Sequence, residues 1–259
     1  MTINHSNLDC CLCGLALGSP YRQLARTLSQ DLAEKAPNLS FVVLTDNPRE
    51  FGNLNNVIAI QHNHYFGYRP YNDKVFVLEA ALERFSVAIQ VDVDITLTEN
   101  ILEKINQPWP PGITAMSQNL LEHTQKNNIG DISSIEKLAQ KLDLRLEEVR
   151  WVGEHMFIIK RDNGKEKEFF ALWKKLAYYW DIHKLGAKDG TLIGLAGAKV
   201  GWQISFEHWQ PLNQCLEHFD VHLQLKYSKL KEFLDRWSYR SRIVRAHFFA
   251  LAQSEFYYK

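Results

Sequence analysis

Ser86-Val87-Ala88-Ile89-Gln90-Val91-Asp92-Val93-Asp94-Ile95-Thr96-Leu97-Thr98 is the stretch on which the reading of this chain turns. Val87 to Val91 is short, apolar and rich in β-branched residues, and a helix-like segment precedes it. That combination predicts a strand buried on both faces, as in a parallel sheet. The strand runs into two carboxylates, Asp92 and Asp94. On extended backbone, alternate side chains share a face and their Cα atoms lie roughly 6–7 Å apart. Two such anions at the end of a buried strand repel each other and lose hydration. A divalent cation relieves both costs. Hard carboxylate oxygens suit Mg²⁺ or Mn²⁺, which in turn bridge to phosphates. The plainer alternative is a pair of solvated aspartates at a strand end.

Upstream, strand and helix patterns alternate. Leu8 to Leu17 reads as a first buried strand. Gly18-Ser19-Pro20 ends it and opens a helix, with Ser19 as cap and Pro20 in the first turn. Leu24, Leu28 and Leu32 then recur on one face. Phe41 to Leu44 is a second strand, closed by Thr45-Asp46-Asn47-Pro48, and Val57 to Ile60 a third. A His-, Tyr- and Asn-rich loop leads to a helix starting near Asn72 or Asp73. This order predicts an α/β chain with a mostly parallel central sheet flanked by helices. Ligands of such sheets sit beyond the carboxyl ends of the strands, where Gly18, Ser19, Asp46, Asp92 and Asp94 fall.

The second half is less regular. Glu99 to Asn106 reads as a short helix, Ile113 to Met116 as a strand, and Asn119 to Asp131 as a polar excursion. Ser133 and Glu136 have capping-box spacing before a helix bearing Ile135, Leu138 and Leu142. Val149 to Ile159 reads as strand, kink at Gly153, strand. Phe169 to Trp180 carries an apolar helical stripe, and Asp189-Gly190 opens a further helix. Leu230 to Trp237 and Val244 to Leu251 read as two late helices. Residues 1–225 are expected to form the catalytic domain and 226–259 a C-terminal helical extension packed on it.

Composition narrows the classes. Of 259 residues, 46% are hydrophobic and 12% aromatic, enough for a sizeable core. Thirty basic and thirty acidic side chains cancel, so bulk attraction to nucleic acid is not expected. The N-terminal segment lacks a basic region, and its apolar run stops at Gly18-Ser19-Pro20; neither a signal peptide nor a membrane span is expected. Cys10, Cys11, Cys13 and Cys215 supply no zinc spacing, and free thiols in a reducing cytoplasm are the expectation.

These residues together resemble the GT-A glycosyltransferases. The resemblance rests on a first strand leading into Ser19-Pro20-Tyr21, a second ending in Thr45-Asp46, and Tyr71-Asn72-Asp73-Lys74 to Phe85 feeding Val91-Asp92-Val93-Asp94-Ile95, which is similar to the DxD segment. It covers about residues 8 to 105, and 150 to 200 more loosely. It implies a Rossmann-like GT-A fold and transfer of a hexose from a nucleotide sugar, a UDP-sugar first among them, to a saccharide or lipid-linked acceptor. By position, Asp94 would be the main metal ligand, with Asp92 on the metal or the ribose. Leu17, Gly18 and Tyr21 would border the base and ribose. Lys74 would lie near the donor phosphates or the aspartates. Asp46 is placed with the nucleotide-binding residues but serves equally as a turn residue. Glu154 and Asp189 would face the transferred sugar as catalytic groups, although Asp189 also fits a helix cap. His208, His218 and His222 are candidates for a third metal ligand, with His218 and His222 in the nearest match.

Two other readings use the same chain. Asp92-Val93-Asp94-Ile95-Thr96 fits the first motif of haloacid-dehalogenase-like phosphatases, in which Asp92 would be the nucleophile. That family needs the motif on its first core strand, whereas three strands precede it here. The other reading is a non-catalytic binding protein. Lys226 to Arg245 mixes basic and aromatic residues, which suits peripheral contact with the cytoplasmic face of a membrane.

Overall fold

The computed structural model describes residues 8–67, 70–127, 132–185, 189–219 and 229–258, without the side chains of residues 70 and 229–236. The alternation in the first hundred residues becomes β1 (Cys10–Ala16), α1 (Ser19–Lys35), β2 (Ser40–Thr45), β3 (Val57–Gln61), α2 (Lys74–Leu82) and β4 (Val87–Val91). These four strands run parallel and are joined by β6 (Gly112–Asn119) and β7 (Arg150–Lys160) in one sheet of order β3-β2-β1-β4-β7-β6. β7 is antiparallel to both of its neighbours. The carboxyl ends of β1, β2 and β4 and the start of β7 therefore share one rim.

Side-chain alternation along each strand divides the core into two layers. Cys11, Cys13, Val42, Leu44 and Ala88 face one layer, with α2, α6 (Lys165–Ile182) and α7 (Asp189–Lys199). Leu12, Phe41, Val43, Ile89 and Val91 face the other, with Leu28 and Leu32 of α1. Both faces of β4 are thus covered, which is why it reads as a continuous apolar run. The four cysteines are buried and free. Burial pushes the Cys10 thiol up to about 11, so it stays protonated and unreactive.

Several elements differ from the sequence expectation. Ser19 does not cap α1: Gly18 holds the cap position at φ +88°, and Ser19 is the first helical residue. Residues 120–126, within the expected polar excursion, form α4 (Leu120–Lys126), because the Asn119 side chain accepts from the N–H groups of Leu121 and Glu122. Ser133 lies inside α5 (Ile132–Lys141) instead of capping it. The two late helices are one, α9 (Lys229–Leu251), followed by α10 (Ser254–Tyr258). The expected boundary at 225/226 lies outside the described residues. Among the described residues, no helix is long and apolar enough to cross a membrane.

α7 lies on β7 closer than side chains would permit. A Cβ built on Gly190 would fall 2.2 Å from the Val152 carbonyl oxygen, and one on Gly194 would fall 1.9 Å from that of Arg150. Glycines one turn apart therefore let this helix meet the strand backbone directly. Gly194→Ala is expected to destabilise the protein by about 2 kcal/mol or more, the scale of a forced backbone shift in a packed core. Urea unfolding monitored by circular dichroism measures this; an unchanged midpoint would show that the seam can relax.

Candidate active site

Two local devices bring distant residues to the end of β4. The first is a bulge in β7. Phe157 pairs with Ala115 and Val152 with Ser117, so residues 153–156 together oppose Met116. Gly153 permits this, since a Cβ there would sit 3.1 Å from the Met116 side chain. The bulge puts the His155 carbonyl against the Asp92 N–H at 3.0 Å. It also turns the Glu154 carbonyl toward Lys74 Nζ, 2.9 Å away. The second device is a small antiparallel sheet of β5 (Ile95–Leu97) and β8 (Leu216–His218). Ile95 pairs with His218, and the Phe219 N–H donates to the Asp94 carbonyl at 3.0 Å. This pairing carries His218 to the acidic pair from more than a hundred residues away.

Lys74 is the hub. It sits at the start of α2, is 4% exposed, and reaches Asp92 Oδ1 at 2.9 Å and Asp189 Oδ2 at 3.4 Å. Burial opposes its charge, but Asp92, Asp189 and Glu154 outweigh burial and hold its pKa above the usual lysine value. The Asp189 contact is an ion pair without hydrogen-bond alignment, and the Glu154 carboxyl lies beside Asp189 as a hydrogen-bond partner. Glu154 Oε2 accepts from the Gly190 N–H at 3.0 Å. Burial first, and the neighbouring Asp189 second, raise the Glu154 pKa to about 8. At neutral pH the group is therefore a carboxylic acid.

Asp92, Asp94 and His218 each offer a ligand atom, and these atoms lie within 4.8 Å of one another. His218 Nε2 is 3.2 Å from Asp94 Oδ1. Two carboxylates and an imidazole form a donor set suited to a small divalent cation. The residues present fit the metal that the sequence motif implies. His208 is elsewhere: it starts α8 (Trp209–Asn213) in a left-handed conformation and packs edge-on to Trp109. His222 lies outside the described residues.

At the ends of β1 and β2, Leu17, Gly18 and Tyr21 are half-buried along the same rim. Asp46 anchors them: its Oδ1 accepts from the Gly18 N–H at 3.1 Å and from Arg22 Nη1 at 2.7 Å. Asp46 thus ties the end of β2 to the end of β1, and Arg22, which also reaches Glu50 at 3.0 Å, is a rim residue that the sequence reading missed. Also missed were Asn213, whose Oδ1 lies 3.1 Å from His155 Nε2, and the His123–Trp151 stack, with ring centroids 3.8 Å apart. Their signals in the sequence were single polar or aromatic residues without spacing.

The raised Glu154 pKa carries a sign. Folding favours the protonated carboxyl, so this stabilisation is full below its ordinary value near 4.5 and is lost as pH rises to about 8. The melting temperature of wild type should fall between pH about 5 and about 8.5 by more than that of Glu154→Gln, which keeps an oxygen for Gly190. Parallel pH profiles for the two proteins would refute the protonated state.

No family model matches the chain, and no curated protein matches it. Solved structures do. The galactosyltransferase LgtC, in complex with donor and acceptor sugar analogs, superposes with a TM-score of 0.51 at 11% identity, over 71% of this chain and 69% of that one. The bifunctional glycosyltransferase WbbM, in its apo structure, gives a TM-score of 0.51 at 12% identity, over 93% of this chain and 46% of that one. The shared feature is the Rossmann-like layering of a mostly parallel sheet, as the sequence resemblance anticipated. The architecture of this chain is the GT-A fold.

Proposed function

We propose that the protein is a glycosyltransferase that moves a hexose from a nucleoside-diphosphate sugar to an acceptor hydroxyl. The observation that carries this reading is the convergence of Asp92, Asp94 and His218 within 4.8 Å, beside the Lys74–Asp189 pair, at the carboxyl rim of a GT-A sheet. Asp92, Asp94 and His218 would hold Mn²⁺ or Mg²⁺. When bound there, the ion supplies charge neutralisation to the departing diphosphate. The Gly18 loop, fixed by Asp46, borders the nucleotide with Leu17 and Tyr21; a uridine nucleotide is the first to test.

The chain's own side chains supply the rest. Lys74 fixes Asp92 in one orientation and pairs with Asp189 beside it. Asp189, 1% exposed, holds the Lys74 ammonium from beneath the rim. Glu154 holds a proton at neutral pH, and its Gly190 contact keeps the carboxyl in place. The free, buried thiols accord with a reducing, cytoplasmic setting.

Ligand binding stabilises the native state by mass action, by about 2.7 kcal/mol at a hundred times Kd, and so raises the melting temperature. UDP with Mn²⁺ should therefore raise it well beyond either component alone. A panel in which no nucleoside diphosphate shifts the melting temperature, with or without Mn²⁺, would remove the reading. Asp94→Asn should keep the fold but lose metal-dependent turnover; wild-type rates in that variant would discredit the metal assignment.

One surface favours a membrane-adjacent acceptor. Trp237, Val244, Phe248 and Leu251 follow one stripe of α9 and are each more than half exposed. No acidic residue lies between Trp237 and Ser254. The basic character is smaller than it looks in sequence: Arg242 and Arg245 donate to the Gly67 and Tyr65 carbonyls. Lys226 and Tyr227 are outside the described residues. Vesicles of equal phosphatidylglycerol and phosphatidylcholine should sediment the wild type at low salt and not Trp237→Ser/Phe248→Ser. Absence of wild-type binding at low salt would overturn this second reading.

A further inference from the structure

We infer that an open groove at the outer edge of the sheet binds the remote sugars of an oligosaccharide acceptor. This rests on the glycosyltransferase reading and deepens it. The groove has a volume of about 590 Å³ and runs beside the β6 end, where the β7 bulge interrupts pairing. Its size lies within the range of about 300–1,000 Å³ typical of small-molecule clefts, with room for more than one sugar ring. It is lined by Gln118, Glu148, Arg150, Gln203 and Phe206, among others.

The lining chemistry selects the ligand class. Phe206 is 49% exposed, which leaves its ring available to the apolar face of a pyranose. Two amides, one carboxylate and one guanidinium surround it, so donors and acceptors are both present and the charges cancel. Met116, Trp202 and Ile204 add apolar surface beside these groups, so the wall alternates apolar faces with donors and acceptors. An anionic ligand would call for an excess of cations. A neutral, polyhydroxylated chain matches this mixture.

The groove is also joined to the catalytic rim. Gln118 Oε1 lies 3.2 Å from His123 Nδ1, and the His123 ring stacks flat on Trp151. Trp151 Nε1 lies against Gly190, 2.6 Å from where a Cβ would stand, and the Gly190 N–H holds Glu154. On the other flank, Phe206 packs on Trp209, which packs edge-on to His155 in the bulge. Packed side chains therefore join the groove to the residues around Glu154 and His155 at one rim of the sheet, which places a bound glycan beside the catalytic end.

The test measures binding to the full chain by saturation-transfer NMR and calorimetry. The probes are β-linked tetrasaccharides of glucose, galactose and N-acetylglucosamine, each beside its monosaccharide. At least one tetrasaccharide should bind about tenfold tighter than its monosaccharide, and Phe206→Ala should remove that preference, the scale of losing one aromatic anchor. Gln203→Ala should weaken it in the same direction. The UDP and Mn²⁺ thermal shift should be unchanged in both variants, which shows that they fold and keep the donor site. Equal affinity for the short and long sugars, a length preference that survives Phe206→Ala, or no binding by any tetrasaccharide overturns the groove while a retained UDP shift leaves the transferase reading standing. Loss of the UDP shift in wild type overturns both.

Discussion

The ammonium of Lys74 is buried at the first turn of a helix, where the backbone dipole is also unfavourable to a cation. It stays charged because Asp92, Asp189 and the Glu154 carbonyl surround it. Removing both carboxylates would leave a buried charge uncompensated. The positions of β4, the β7 bulge and the start of α7 are therefore linked through one side chain. The same link ties Asp92, a candidate metal ligand, to the buried Asp189 at the start of α7.

That arrangement separates two carboxylates by environment. Asp189 faces the ammonium. Glu154 is turned to the Gly190 N–H, and burial beside Asp189 keeps it protonated. Lys74 offsets one of the three aspartate charges, those of Asp92, Asp94 and Asp189. The net negative charge at the end of β4 is what a divalent cation would balance, with Asp94 and His218 completing the donor set. The glycines of α7 matter here as well, since Gly190 brings its N–H to Glu154 only because the helix can touch the strand.

The C-terminal helix reaches the rim indirectly. Its Arg245 stacks on the Tyr65 ring, 3.8 Å from the centroid, and Arg242 donates to Gly67. The Tyr65 and Phe66 N–H groups are in turn held by the buried Asp73 at 2.7 and 3.0 Å, immediately before Lys74. The loop after β3 is thus clamped from both sides, by an acid next to the hub and by a helix that displays an apolar stripe to solvent. The two arginines that looked like a free basic surface are spent on that clamp.

Period and composition were enough to determine β1 to β4, α1, the start of α2 and the place of the acidic pair. Each is local: apolar runs, four-residue spacing and turn residues are written in consecutive positions. Lys74, Asp94, Glu154, Asp189 and His218 were also legible as candidates. Their partnership was not, because it depends on a four-residue bulge and on a three-residue strand pairing Ile95 with His218. Such short pairings leave no periodic trace. Likewise α4 was hidden in a polar stretch, since a single asparagine cap starts it. The direction in which Glu154 titrates, the use of Arg242 and Arg245, and the edge groove follow from which surfaces meet. Only the folded chain decides that, because contact between residues eighty or more positions apart depends on the register of whole strands.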